Sequence, residues 1–425
     1  MFRAAIPPIL EQTNMVDFAI PQDIKEIGDG LVQFIDREVI LLEERHRELL
    51  ESERNLYDAN GHFVPEVLEL RRQVRTKSAE AGFYTMFGPE ELGGEELGPV
   101  AAVYIHDRVN ARYGPGHYLL QEIVLPSPFT NGLSPVLRHL KHDVREAVLP
   151  DIAAGEKTLC FGLSEPDAGS DVFNMRSTAT RDGDGWLLNG TKQWITNGPY
   201  ADYAMVFAVT NPEQFSARKG GVSGFFVDAK SPGFDQSQVI RYMGHQGSEI
   251  GFLHMENVHV PDSHVLGEID QGFKIAIGGV NTGRLGLSAK AIGMARWALE
   301  QATEYSKIRK TFGQTIGEHQ AVQIMLAESA MDIYAGKNMA YHCAWKLEQG
   351  ERAIKEISMV KAFCTEAANR VMDRVIQIHG GMGLTNELKI EEGYRFCRSL
   401  RIPDGTAEIQ RRTIAKQLLM GDTAL

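Results

Sequence analysis

The stretch from Leu159 to Asn197 constrains this chain most, because it sets two short apolar runs on either side of segments that favour turns and loops. Leu159, Phe161 and Leu163 alternate with smaller residues, the period-two signature of a half-buried strand. Ser164, Pro166, Gly169, Ser170 and Asp171 follow in close order and make a loop rich in backbone donors. Asp182-Gly183-Asp184-Gly185 and Asn189-Gly190 read as turns flanking Trp186-Leu187-Leu188. The chain is thus expected to reverse twice and return Trp194 and Thr196 beside Phe161 and Ser164. Hydroxyls and amides at an edge, with an indole to cover a face, suit a flat heteroaromatic ligand.

The 425 residues, 43% of them hydrophobic, suffice for two or three domains. Met1 to Asn14 lacks the charged start, apolar core and cleavage site of a signal peptide, and no run approaches membrane-spanning length. Cys160, Cys343, Cys364 and Cys397 are scattered without metal or redox spacing, which suits reduced thiols in a cytosol. His245, His254, His259 and His264 have neither helical pairing nor neighbouring cysteines, so no metal site is expected. A net charge of −12 argues against nucleic acid and leaves any anionic ligand to local arginines and helix ends.

Hydrophobic periodicity divides the chain in three. Ile24, Ile27, Leu31, Ile35 and Leu42 mark a helical stripe, and the mixed charges of Glu43 to Glu48 suit a solvated face. From Glu156 to Gly267 the period falls to two, with short runs at Tyr203–Val209, Gly224–Asp228 and Ile250–Val260. After Gly272 the 3.6 period returns: Leu285, Ala289, Ile292, Ala295, Leu299 and Ala302 form one stripe, and Ile357, Val360, Cys364, Val371, Val375 and Ile378 another. A third helix between them includes Ile324, Ala327, Met331, Tyr334 and Tyr341. The expected fold is α+β: an N-terminal all-α domain (1–155), a middle β-barrel-like domain (156–268) and a C-terminal four-helix bundle (269–425).

Ser164-Glu165-Pro166-Asp167-Ala168-Gly169-Ser170-Asp171, followed downstream by Trp194-Ile195-Thr196-Asn197, closely resembles the signature of the acyl-CoA dehydrogenases. The likeness covers nearly the whole chain and is strongest from Leu159 to Asn197 and from Gly272 to Gln417. It implies an FAD between the β domain and the bundle, contacted by Phe161, Leu163, Ser164, Ser170, Trp194 and Thr196. It also implies that Arg309, Thr311, Phe312, His319, Gln320, Gln377, Gly380 and Gly381 serve the FAD of an adjacent subunit, which makes the protein an obligate homo-oligomer, a tetramer or a dimer. Thr406 and Glu408 complete the implied cofactor set, and Ser170, Asn281, Arg284 and Gly405 the substrate set. Asn281 stands where an acid is often found, and Gln246, within Met243 to Ser248, where many members have arginine.

The family's catalytic glutamate precedes Gly-Thr near the C-terminus, and this chain has Pro403-Asp404-Gly405-Thr406. Some relatives carry the acid beside the substrate arginine, but Gly283 at that position cannot serve. Asp404 is therefore the implied base. It is one methylene shorter, about 1.5 Å, and such a displacement costs roughly a hundredfold in rate unless substrate or backbone moves to match. The resemblance implies α,β-dehydrogenation of an acyl-CoA to a trans-2-enoyl-CoA, with electrons passed to an electron-transferring flavoprotein, in a bacterial cytoplasm or a mitochondrial matrix. The aspartate also resembles that of the nitroalkane oxidases, so the alternatives are a flavin oxidase of a small carbon acid and a catalytically silent acyl-CoA-binding homologue.

Overall fold

The computed structural model describes residues 19–127, 131–244 and 249–424, without the side chains of residues 279–282. The Met1–Asn14 leader reading, His245 to Ser248 and the side chain of Asn281 lie outside the described residues.

Apolar residues at helical spacing build the N-terminal layer. Leu31 and Ile35 are fully buried on α1 (Gln22–Phe34) and on the π-helical segment Ile35–Ile40 that continues it. They meet Leu70 and Val74 of α2 (Pro65–Glu80) and Ile105 and Val109 of α3 (Pro99–Tyr113) in one core. The charged stretch after α1 is not wholly solvated. Glu43 turns inward, accepts the Leu119 amide at 2.9 Å and pairs with His117 at 2.6 Å, because the irregular 117–125 segment has donors that no helix satisfies.

α4 (His142–Ala153) leads into nine strands of two to twelve residues. These are β1 (Leu159–Gly162), β2 (Thr178–Asp182), β3 (Gly185–Thr196), β4 (Tyr203–Val209), β5 (Val222–Asp228), β6 (Phe234–Asp235), β7 (Val239–Ile240), β8 (Ile250–Pro261) and β9 (Val265–Leu266). The main path runs β6-β8-β3-β2-β4-β5-β9, with β1 parallel to β4 and β7 against β8. Ala204, Val206 and Ala208 point to an inner core shared with Leu188, Leu253 and Val258, so the sheet wraps around its own inner face as a barrel-like domain does. Met205, Phe207 and Val209 turn the other way, onto Val144, Val148 and Ile152 of α4.

Only one of the two expected reversals is a turn. Gly183 (φ +54°) and Asp184 join β2 to β3, whereas Asn189-Gly190 lies inside β3 at a break in register with β8. Gly190 takes φ +138°, and a Cβ there would stand 2.4 Å from Ser177 Oγ, so the glycine serves a bulge and a close approach. β1 also differs from the half-buried expectation: Leu159 and Cys160 are both fully buried, one on each face.

The bundle comprises α5 (Gly272–Ile308), α6 (Gln320–Glu348), α7 (Ile354–His379), α8 (Ile390–Ser399) and α9 (Ala407–Leu419). Leu285, Ala289, Ile292, Ala295 and Ala302 of α5 and all six stripe residues of α7 lie in its core, with Leu299 packed against it. On α6 the buried positions are Ser329, Ile333, Gly336, Ala340, Cys343 and Ala344. Ile324, Met331 and Tyr334 are on the outside, at 51%, 70% and 74% exposure. No described helix is long and apolar enough to cross a membrane.

Candidate active site

The loop after β1 is fixed by a buried ion pair. Glu165 accepts hydrogen bonds from the amides of Arg176 (2.6 Å) and Ser177 (3.1 Å) and from Lys192 Nζ of β3 at 2.6 Å, with both charged side chains out of solvent. Burial alone would raise the Glu165 carboxyl, but Lys192 and the backbone donors outweigh it and hold it below its usual range. Burial lowers Lys192 to about 8, against the pull of Glu165. The pair clamps the Ser164 segment to β3, where Gln193 N donates to Ser164 O at 2.9 Å. Asn197 closes the other end, donating from Nδ2 to Leu159 O at 2.9 Å.

Trp194 is the exposed element of this cradle. It occupies a second register break, between Gln193 and Ile195, at φ +65°, and its side chain is 53% exposed. A large indole held open by a strained backbone, with Leu163, Ser164 and Thr196 half-buried around it, fits a flat ligand laid on the sheet edge. Phe161, also half-buried, packs on Phe207 at 5.0 Å. Ser170 is exposed on the loop beyond. The cradle therefore fits an isoalloxazine by its donors and its open aromatic surface.

Asp404 stands on a loop held from three sides. Arg284 Nε of α5 donates to the Asp404 carbonyl at 2.8 Å. Gln410 Nε2 of α9 donates to the carbonyls of Asp404 and Gly405, each at 3.0 Å. Lys361 of α7, fully buried, donates to the carbonyls of Arg401 (3.0 Å) and Gly405 (2.9 Å), bracketing Asp404. Asp404 and Gly405 take φ of +56° and +91°. Cationic and amide side chains thus satisfy the carbonyls of Arg401, Asp404 and Gly405 and leave the carboxylate for other work. Burial raises the Asp404 pKa, with Lys361 and then Arg284 drawing it back. Burial in turn lowers Lys361 to about 8. The helix that follows is capped by Thr406, whose Oγ1 accepts from Ile409 N at 3.3 Å. Glu408 is exposed one turn away.

The remaining cofactor candidates gather elsewhere. Arg309 leaves the end of α5 into a hairpin of β10 (Lys310–Thr311) and β11 (Gln314–Thr315), with Phe312 at its tip, 99% exposed. His319 is held between Thr311 Oγ1 (3.0 Å) and Gln314 Nε2 (3.1 Å). Tyr305 stacks on His379 at 4.5 Å, which joins this hairpin to Gln377, Gly380 and Gly381, all exposed, as is Gln320. Twenty-five residues of continuous helix separate Arg309 from Arg284, about 37 Å.

Sequence reasoning missed Lys192 with Glu165, and Lys361 with Gln410. Lys361 left a signal: it falls on the apolar stripe of α7, four residues after Ile357 and three before Cys364. Lys192 left none, because the bulges of β3 break its alternation.

A nine-stranded middle sheet between helical layers, an open indole cradle and an acid on a clamped loop make up the candidate site. Two family models match: "Acyl-CoA dehydrogenase, C-terminal domain" over residues 270–419 and "Acyl-CoA dehydrogenase, middle domain" over residues 160–258. The chain is 36% identical to the 3-(aryl)acrylate reductase of Clostridium sporogenes over 84% of its own length and 92% of that protein. It is 35% identical to the caffeyl-CoA reductase-Etf complex subunit CarC of Acetobacterium woodii, with the same coverage of 84% and 92%. Among solved structures, an acyl-CoA dehydrogenase from Geobacillus kaustophilus aligns with a TM-score of 0.82 at 27% identity, covering 95% of this chain and all of that one. The chain belongs to the acyl-CoA dehydrogenase family, an oxidoreductase family whose members bind FAD.

Proposed function

We propose that this protein dehydrogenates an acyl-CoA between its α and β carbons, with Asp404 as the base that removes the α-proton, and yields a trans-2-enoyl-CoA. The single observation that carries the reading is Asp404: a half-buried acid on a loop held through the carbonyls of Arg401, Asp404 and Gly405, its pKa raised by burial. Desolvation strengthens a carboxylate as a base toward a carbon acid. FAD, when bound, supplies the acceptor for the β-hydride. Phe161, Leu163, Ser164, Trp194 and Thr196 would hold its ring, Trp194 covering one face, and the Thr406–Glu408 segment would complete the pocket. Arg284 would orient the acyl end together with Gly405, and exposed Ser170 would meet the CoA portion. Arg309, Thr311, Phe312, His319, Gln320, Gln377, Gly380 and Gly381 would serve the FAD of a second copy, which their distance from Asp404 supports.

An electron-transferring flavoprotein is the proposed acceptor. A relative named for its Etf complex and a structural neighbour described as an "Electron transferring flavoprotein of Acidaminococcus fermentans" support it. A neighbour titled "Prolyl Acyl Carrier Protein Oxidase AnaB" favours a second reading, in which oxygen takes the electrons. Oxygen consumption during turnover separates the two. The test of the first reading is Asp404→Asn, which keeps shape but not basicity. Anaerobic flavin reduction by acyl-CoA is expected to fall by about a hundredfold or more while substrate affinity changes little. Near wild-type reduction in that variant would place the base elsewhere.

A further inference from the structure

α9 has little buried surface to hold it in place. Its buried residues are Ala407 and Gln410, both in the first turn, while Leu418, Leu419 and Met420 at its far end are 38%, 90% and 69% exposed. Polar contacts fix it instead. Arg411 pairs with Glu366 of α7 at 2.6 Å. Beyond the helix, Gly421 takes φ +97° and Asp422 N donates to Gln417 O at 3.1 Å, so the chain turns back on itself. The turn carries Asp422 and Ala424 onto α7. There Lys355 Nζ donates to Asp422 Oδ1 at 2.6 Å, to Asp422 O at 3.1 Å and to Ala424 O.

Lys355 is fully buried at the second position of α7, where a cation opposes the helix dipole. The three donors of its ammonium meet three acceptors of the segment after α9, with Glu356 Oε1 a further 4.0 Å away. Six residues on, about 9 Å along the same helix, Lys361 is also fully buried and bonds the carbonyls of Arg401 and Gly405. Two buried lysines of one helix therefore hold the chain on either side of α9. Between them, Gln410 of α9 carries the hold to the carbonyls of Asp404 and Gly405. With its far end released, α9 is free to pivot on its first turn, and Gln410 moves with it.

We propose that Lys355 and the 422–424 segment form a latch on α9 that keeps the Asp404 loop in place, which makes Lys355 a positioning residue. Its part in the reaction rests on the dehydrogenase reading. The first test is amide hydrogen exchange of the FAD-loaded protein in wild type, K355M and D422A. Exchange across residues 401–406 is expected to rise by about tenfold or more in K355M, and by less in D422A, which leaves the lysine its two carbonyls. The second is anaerobic flavin reduction by butyryl-, octanoyl- and 3-phenylpropionyl-CoA. The limiting rate in K355M should fall by about tenfold or more with the half-saturating concentration little changed, since a misplacement of about 1 Å costs roughly a hundredfold. A latch that only stabilises the fold would lower the denaturation midpoint and leave that rate alone. Faster exchange confined to residues 419–424, or an unchanged limiting rate in flavin-loaded K355M, overturns the proposal. If K355M does not fold, D422A decides by the same two criteria. If none of the three thioesters reduces the wild type, the dehydrogenase reading fails, and exchange at 401–406 alone decides whether the latch holds the loop.

Discussion

Lys361 is fully buried, and the carbonyls it bonds flank Asp404, whose charge it favours. Burial alone would keep Asp404 protonated to higher pH, and Lys361 opposes that. A base must be ionised to act, so the rate rises with pH through the pKa of Asp404. Lys361→Met should move that rising limb to higher pH, so that activity is lost on the acid side of the limb and recovered in more alkaline buffer. The pH profile of kcat/KM for flavin reduction measures it; an equal loss at every pH would mean that Lys361 only props the loop. At this scale Asp404 and Arg284 were legible, because they sit in short motifs. Lys192 was not, because the bulges of β3 break its alternation, whereas Lys361 was marked only by its place on the apolar stripe of α7.

The β3 strand shows why an element can carry a site and still be misread. Asn-Gly is the strongest short turn signal, yet here Asn189 bonds with Asn257 across to β8 and Gly190 makes room for Ser177, so the strand runs on through two bulges. The second bulge turns Trp194 outward, and the buried Lys192–Glu165 pair holds the neighbouring loop in register with it. Removing one partner leaves a charge without compensation in a dry interior. Lys192→Met should destabilise the protein by about 3–5 kcal/mol, whereas the double change K192M/E165Q should recover much of the loss. Chemical denaturation midpoints of the two variants check this, and flavin occupancy should follow the same order. Equal losses in both would show that the pair contributes shape rather than charge balance.

Across the whole molecule, the succession of helix, sheet and helix was legible from the change of period alone, since 3.6 and 2.0 describe different buried faces. Which face of α6 is buried was not, because Ile324, Met331 and Tyr334 read as core and stand outside. Ile308 and Phe312 at the Arg309 hairpin, and Leu384 after α7, are likewise exposed, and apolar groups in such number favour a partner surface. Arg309→Ala is expected to lower flavin occupancy and weaken the oligomer together, read from flavin absorbance per chain and from molar mass by light scattering. Full FAD retention in a monomer would remove the proposed second copy from the site. The proposed division of the site between two copies, Arg309 from one and Asp404 from the other, also has a genetic consequence. A subunit with Arg309→Ala keeps Asp404, and a subunit with Asp404→Asn keeps Arg309. Where the two assemble, one site joins both intact halves and the other collects both lesions. Two alleles that are each inactive would then complement one another in the same cell, which no mixture of self-sufficient monomers can do.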